Sequence, residues 1–304
     1  MDRIDELLHP AASGDSRFKP DRYGSFRGLS TSGFHRIVYA DWGPVEAEAT
    51  VVCVHGLTRQ ARDFDYLASA LSARGYRVVC PDLAGRGQSD WLPNVLDYVF
   101  PQYCADMATL LASLGAKKLH WIGTSLGGLI GMVLAGMSNS PISTLTVNDI
   151  CPDVPSGAAA RVGFRMAGAP TSFASIEEAE SYNRKAFVAC GALTDQQWRH
   201  FTMHSLRYDE ARNRYFPTLD PKVGTAYGWL WYYQMTLWQY WEKIKAPILA
   251  IHGAESDFAP QRLIQEMKRR TPQMASHEVA DTGHMPMLMA ASEIDAIATF
   301  LSKH

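Results

Sequence analysis

Leu119-His-Trp-Ile-Gly123-Thr-Ser125-Leu-Gly127-Gly-Leu-Ile130 is the stretch that decides the fold. One apolar run, Leu119 to Gly123, meets a longer one, Leu126 to Gly136, across a turn of the form G-x-S-x-G. The first run has strand character and the second is helical. Glycines on both sides allow the backbone a turn that bulkier residues would block, which lifts the Ser125 hydroxyl above the sheet. The next N–H, on Leu126, opens the helix and is placed to stabilise an anion. Ser125 is therefore the candidate nucleophile.

The same rhythm extends in both directions. Thr50–Val54, Tyr76–Cys80, Ile142–Val147 and Pro247–Ile251 are apolar runs, with Ser276–Val279 a weaker case. Runs this apolar suit strands buried on both faces. Helical patterns lie between or after them, at Asp63–Arg74, Pro101–Leu114, Pro260–Arg270 and Ser292–Leu301. Strand–helix alternation over 304 residues predicts an α/β protein with a doubly wound, mostly parallel sheet. Phe26–Thr31 and Phe34–Ala40 read as an antiparallel pair before it. From 152 to 243 the alternation stops and helical patterns dominate. The expected organisation is a core of 1–151 and 244–304, with 152–243 inserted as a helical block. Its Tyr227–Trp241 segment reads as one aromatic-rich helix roofing an apolar pocket over Ser125, with Trp229 and Trp238 as candidate substrate contacts.

A serine hydroxyl needs a base and an oxyanion site. His55-Gly56-Leu57 closes the first buried strand. Gly56 lets the Leu57 N–H turn toward Ser125, to complete an oxyanion hole with Leu126, while His55 reads as a structural brace. Among ten histidines, His284 stands on a glycine-containing loop after the last strand, where doubly wound sheets form their crevice. The acid should fall between serine and histidine in the chain. Asp257, on the loop after Ile248–Gly253 and 27 residues before His284, is the first choice; Asp149 and Glu255 compete. Met285 and Arg59 are further candidates for contact with substrate.

Four motifs in this order resemble the α/β-hydrolase family: His55-Gly56, Pro81-Asp82-Leu-Ala-Gly85-Arg-Gly87-Gln-Ser89-Asp90, Gly123-x-Ser125-x-Gly127, and the late acid–His284 pair. The resemblance runs from the Phe26 hairpin to the final helix and implies a helical cap at 152–243. Serine at the nucleophile position is similar to esterases, lactonases, thioesterases and C–C hydrolases. It departs from the aspartate of haloalkane dehalogenases and epoxide hydrolases.

Composition narrows the remaining classes. A formal net charge of -2 leaves no footprint for nucleic acid or an anionic membrane. The longest apolar run is far shorter than the ~20 residues of a membrane span. Met1–Leu8 is charged and unlike a signal peptide, so the expected location is cytoplasmic. Five cysteines without a C-x-x-C pair read as reduced structural thiols. His200 and His204, spaced i,i+4, lack a third ligand and read as a polar helix face rather than a metal pair. Arg59 and Arg62 read first as a solvated start to the next helix, with a bidentate grip on a substrate carboxylate as the alternative. The expected activity is a cofactor-free, metal-free serine hydrolase. It would cleave small to medium aliphatic acyl esters, with polyester oligomers a further candidate, through an acyl-enzyme. A C–C or lactone hydrolase with the same triad, and a non-catalytic binding protein, are the alternatives.

Overall fold

The computed structural model describes residues 18–228 and 235–304. Two antiparallel strands, β1 (Arg22–Ser30) and β2 (Gly33–Trp42), lead into β3 (Thr50–Val54), α1 (Asp65–Ser72) and β4 (Arg77–Pro81). Next come α2 (Phe100–Ser113), β5 (Leu119–Thr124), α3 (Leu126–Gly136) and β6 (Ile142–Asn148). The chain then leaves the sheet for α4 (Ser156–Ala167), α5 (Ile176–Ala186), α6 (Asp195–Met203), β7 (Leu206–Asp209), β8 (Arg214–Pro217), α7 (Pro221–Gly228) and α8 (Trp238–Trp241). It returns through β9 (Ile248–Gly253), α9 (Gln261–Arg270), β10 (Ala275–Val279) and α10 (Ala291–Ser302).

The sheet has eight strands in the order β1-β2-β4-β3-β5-β6-β9-β10. From β4 to β10 every pairing is parallel, and β2 alone runs against its neighbours. Alternate residues of each central strand feed two separate cores. Val52, Val54, Trp121, Leu145 and Ala250 pack toward α2, α3 and α9. Val51, Cys53, Ile122, Leu249 and Ile251 pack toward α1 and α10. This two-sided burial is why the strands read as unbroken apolar runs.

Helix α3 shows which force prevails beside Ser125. It carries four glycines, each costing about 0.5–1 kcal/mol of helix stability. Leu126, Leu129, Ile130, Met132 and Val133 are buried along it, each contributing roughly 1.5–3 kcal/mol. Burial outweighs propensity, so the helix holds and the glycines remain available for close packing.

The inserted segment departs from expectation in two ways. Its elements include a β-hairpin, β7 with β8, whose residues are half-exposed rather than buried and so give no strand signal of the core type. The aromatic stretch is not one helix: α7 ends at Gly228, Thr236 bridges to Asp153, and α8 starts only at Trp238. Leu237 donates its N–H to the Pro152 carbonyl, which ties this segment to the start of the insertion. Trp229 lies outside the described residues.

Candidate active site

Ser125 occupies the turn between β5 and α3 with φ 50° and ψ −111°, a left-handed backbone that non-glycine residues rarely adopt. The strain is sustained by packing on both sides. A Cβ on Gly123 would collide with the backbone of Gly127, and one on Gly127 with the carbonyl of Val54. Trp121 Nε1 donates to the Gly127 carbonyl at 3.0 Å, and the Ser125 N–H donates to the Asn148 carbonyl at 2.9 Å. Helix, nucleophile and two strands are thereby locked together.

The loop after β3 lies against this turn. An added Cβ on Gly56 would stand 3.5 Å from Ser125 Cβ. His55 braces the loop as expected: Nδ1 donates to the Gly56 carbonyl at 2.7 Å, and Nε2 accepts from the Leu83 N–H at 3.0 Å. Burial pulls its pKa down to about 3, so the ring is neutral, as this pair of bonds requires. Arg86, in the G-x-G segment, donates from Nε to the Leu57 carbonyl at 3.0 Å and so fixes the peptide plane beyond Leu57. Leu126 is the first residue of α3, where an N–H has no intrahelical acceptor.

His284 and Ser125 line one narrow pocket of roughly 20 Å³, together with Gly56, Leu57, Thr58, Arg59, Val162, Arg165, Phe187 and Met285. The loop carrying His284 is tied to the nucleophile turn by Asn148, whose Nδ2 donates to Thr124 Oγ1 at 3.0 Å and to the Pro286 carbonyl at 2.8 Å.

The carboxylate that holds His284 is Asp149, not Asp257. His284 Nδ1 lies 2.6 Å from Asp149 Oδ2. Asp149 is fully buried and accepts two more bonds, from the Gly253 N–H at 2.9 Å and Ser256 Oγ at 2.7 Å. Three hydrogen-bonding partners therefore converge on this buried carboxylate and fix its position. Asp257 fails for a local reason. Its neighbours both face inward, Ser256 to Asp149 and Phe258 stacked on the His284 ring at 4.0 Å, so the side chain between them faces out. It is 43% exposed and pairs with Arg161 of α4. Asp149 left one sequence signal, its position at the very end of β6. The structure adds φ 56°, a left-handed turn that aspartate tolerates better than most residues.

Other expectations divide. Leu57 and Met285 line the pocket with Ser125. Arg59 does too, but its guanidinium is held by Asp63 (Nε to Oδ2 2.7 Å, Nη2 to Oδ1 2.6 Å) and lies 3.4 Å over the Phe201 ring. Arg62 is buried rather than solvated, bonded to Asp65, Tyr23 and the Phe18 carbonyl. Trp238 lies away from the pocket, donating to Asp153 Oδ2 at 2.8 Å beneath the Arg270 guanidinium. Among the described residues of the insertion, Val162, Arg165 and Phe187 reach the pocket, and the sequence offered no periodic signal for them. A larger concavity of about 610 Å³ opens near Lys245, Pro247 and Lys303, at the opposite end of β9 from the nucleophile.

His200 and His204 are not a polar face. His200 is buried, with Nε2 3.1 Å from the Arg62 carbonyl and 3.2 Å from Asp65. Asp65, His200 and His204 bring donor atoms within 4.8 Å of one another. Both Asp65 oxygens, however, accept from Arg62, a cation that neutralises the carboxylate and disfavours a second positive charge. The cluster docks α6 onto α1. No helix among the described residues is long and apolar enough to cross a membrane.

Comparison with known proteins bears on the fold. Residues 49–291 match a family model described as the alpha/beta hydrolase fold. A 3-hydroxybutyrate-oligomer hydrolase of Cupriavidus necator is 38% identical over 294 residues, covering 92% of this chain and 98% of that protein. Among solved structures, one from Rickettsia typhi superposes with TM-score 0.86 at 27% identity, covering 93% of this chain and 99% of the other. An alpha/beta hydrolase from Novosphingobium aromaticivorans superposes with TM-score 0.81, also at 27% identity and with the same coverage.

Proposed function

The chain belongs to the α/β-hydrolase family, and we propose that it hydrolyses carboxylic esters through a serine acyl-enzyme, with short hydroxyalkanoate oligomers as substrates. The observation that carries this reading is the 2.6 Å His284–Asp149 pair in the pocket that Ser125 lines. Asp149 takes Nδ1, leaving Nε2 to accept the Ser125 proton as Oγ attacks the ester carbonyl. The oxyanion is held by the N–H groups of Leu57 and Leu126. Nε2 then protonates the departing alcohol, and a water activated by the same nitrogen frees the acid. The oligomer substrate is supported by the relative from Cupriavidus necator, whose name specifies such molecules.

The test is a set of three variants assayed on a 3-hydroxybutyrate trimer. Ser125→Ala should abolish turnover and labelling by an organophosphorus reagent while leaving the melting temperature within a few degrees. Asp149→Asn should lower kcat by roughly 10³–10⁴, because an amide favours the wrong imidazole tautomer, a change costing about 10⁴ in a serine protease. Asp257→Asn should change kcat no more than a few-fold. Full activity in the serine variant, or equal losses in the two aspartate variants, would refute the assignment.

A further inference from the structure

Among the described residues, the pocket beside Ser125 carries one arginine that no carboxylate neutralises. Arg59 is paired with Asp63. Arg161 and Arg165 stand one turn apart on the same face of α4, and Arg161 is paired with Asp257. Among the described residues, Arg165 has no carboxylate partner. Its guanidinium lies 4.4 Å over the Phe187 ring and donates one long bond, from Nη1 to the Ala186 carbonyl at 3.4 Å. Burial, together with the Arg59 and Arg161 charges, holds its pKa below the ordinary arginine value. A half-buried arginine flanked by two others is a costly arrangement unless an anion completes it.

Resting on the ester-hydrolase reading above, we infer that Arg165 binds a carboxylate on the alcohol side of the scissile ester, so that the enzyme releases hydroxy acids one at a time from the carboxyl end. Arg165 and Ser125 line the same narrow pocket, which puts a charge close to the reacting bond. In a 3-hydroxyacid oligomer, a –CH(CH3)–CH2– link joins the last ester oxygen to the free carboxylate. Seated on Arg165, that carboxylate places the last ester carbonyl at Ser125. Attack forms the Oγ–acyl bond and breaks the bond from the acyl carbon to the ester oxygen. The leaving alkoxide takes the proton held on His284 and departs as 3-hydroxyacid. Water then adds to the acyl-enzyme, passing one proton to His284, and restores Ser125 with a shortened oligomer ending in a new carboxylate. Each product is thus the next substrate. Arginine suits the role because its planar fork matches both carboxylate oxygens.

The experiment separates binding from turnover. In a Ser125→Ala background, calorimetry with the 3-hydroxybutyrate dimer as free acid and as methyl ester should show the acid binding about 10–100-fold more tightly, the range expected for a charge-assisted pair. Adding Arg165→Gln should collapse that preference, and Arg165→Lys should keep part of it. Equal binding of acid and ester, no binding of either, or a preference that survives Arg165→Gln would overturn the inference. The hydrolase reading is scored independently, by turnover of both dimers with the Ser125 enzyme. Turnover without an Arg165-dependent preference would leave that reading intact. A preference without turnover would sustain the carboxylate site and remove the hydrolase reading.

Discussion

His55 shows how one side chain can serve the site without touching substrate. Its neutral ring joins the loop after β3 to the chain after β4, and burial holds its pKa near 3 against about 6.5 in an unfolded chain. Between those values the unfolded state binds a proton that the folded state refuses, so stability falls as pH drops from 6.5 toward 3. Asp82 opposes this. Burial lifts its pKa to about 6, so the folded state gains the proton first and is favoured as pH falls through 6. His120, lowered to about 4 by burial, acts with His55. The expected net result is loss of stability from pH 7 to 5. His55→Gln should start less stable at pH 7 yet lose about 2 kcal/mol less over that interval, read from urea midpoints at each pH. Identical losses in both proteins would mean that His55 takes up a proton in the fold. This residue's bracing role was legible from its place in the chain. The identity of the carboxylate that meets His284 was not, because Asp149 and Asp257 both follow the carboxyl end of a strand of the parallel sheet. Only the inward turn of Ser256 and Phe258 decides between them.

At the level of elements, the core strands and helices were legible because two-sided burial writes itself into composition, as in Thr50–Val54 and Leu126–Gly136. The inserted segment was read less well. Helices α4 and α5 bury only two residues each, and β7 and β8 bury nothing fully, so neither period is enforced there. The aromatic stripe ending at Trp241 fits a helical period, yet Leu237 and Thr236 are pinned to Pro152 and Asp153 and break it. Glycine substitutions should separate the two kinds of element. Gly127→Ala pushes a methyl into the Val54 carbonyl and should cost at least ~1–3 kcal/mol in a urea melt, with a further fall in kcat as Leu126 shifts. Gly157→Ala, on α4 with open space around it, should be neutral or stabilise by about 0.5 kcal/mol. Similar costs at both positions would contradict the packing described here.

Taken whole, the molecule sets a heavily buried sheet layer beneath a lightly attached covering. Helix α3 buries all but one of its residues, whereas α4 buries only Ala158 and Val162. Amide hydrogen exchange should therefore reach α4 through local opening, orders of magnitude faster than it reaches the middle of α3, which should exchange only on global unfolding. Equal protection would show the covering to be part of the core. Such opening matters because a pocket of roughly 20 Å³ has room for little more than a water. The pair between Arg161 and Asp257 ties α4 to the loop after β9, and both partners are open to solvent, at 53% and 43% exposure. Mobile ions weaken such a pair, whereas Asp149 and His284, sealed below, are shielded from them. Ionic strength thus acts as a tuning knob on one joint and not on the other: brine loosens the tie between α4 and the loop after β9, while the buried Asp149–His284 pair keeps its setting.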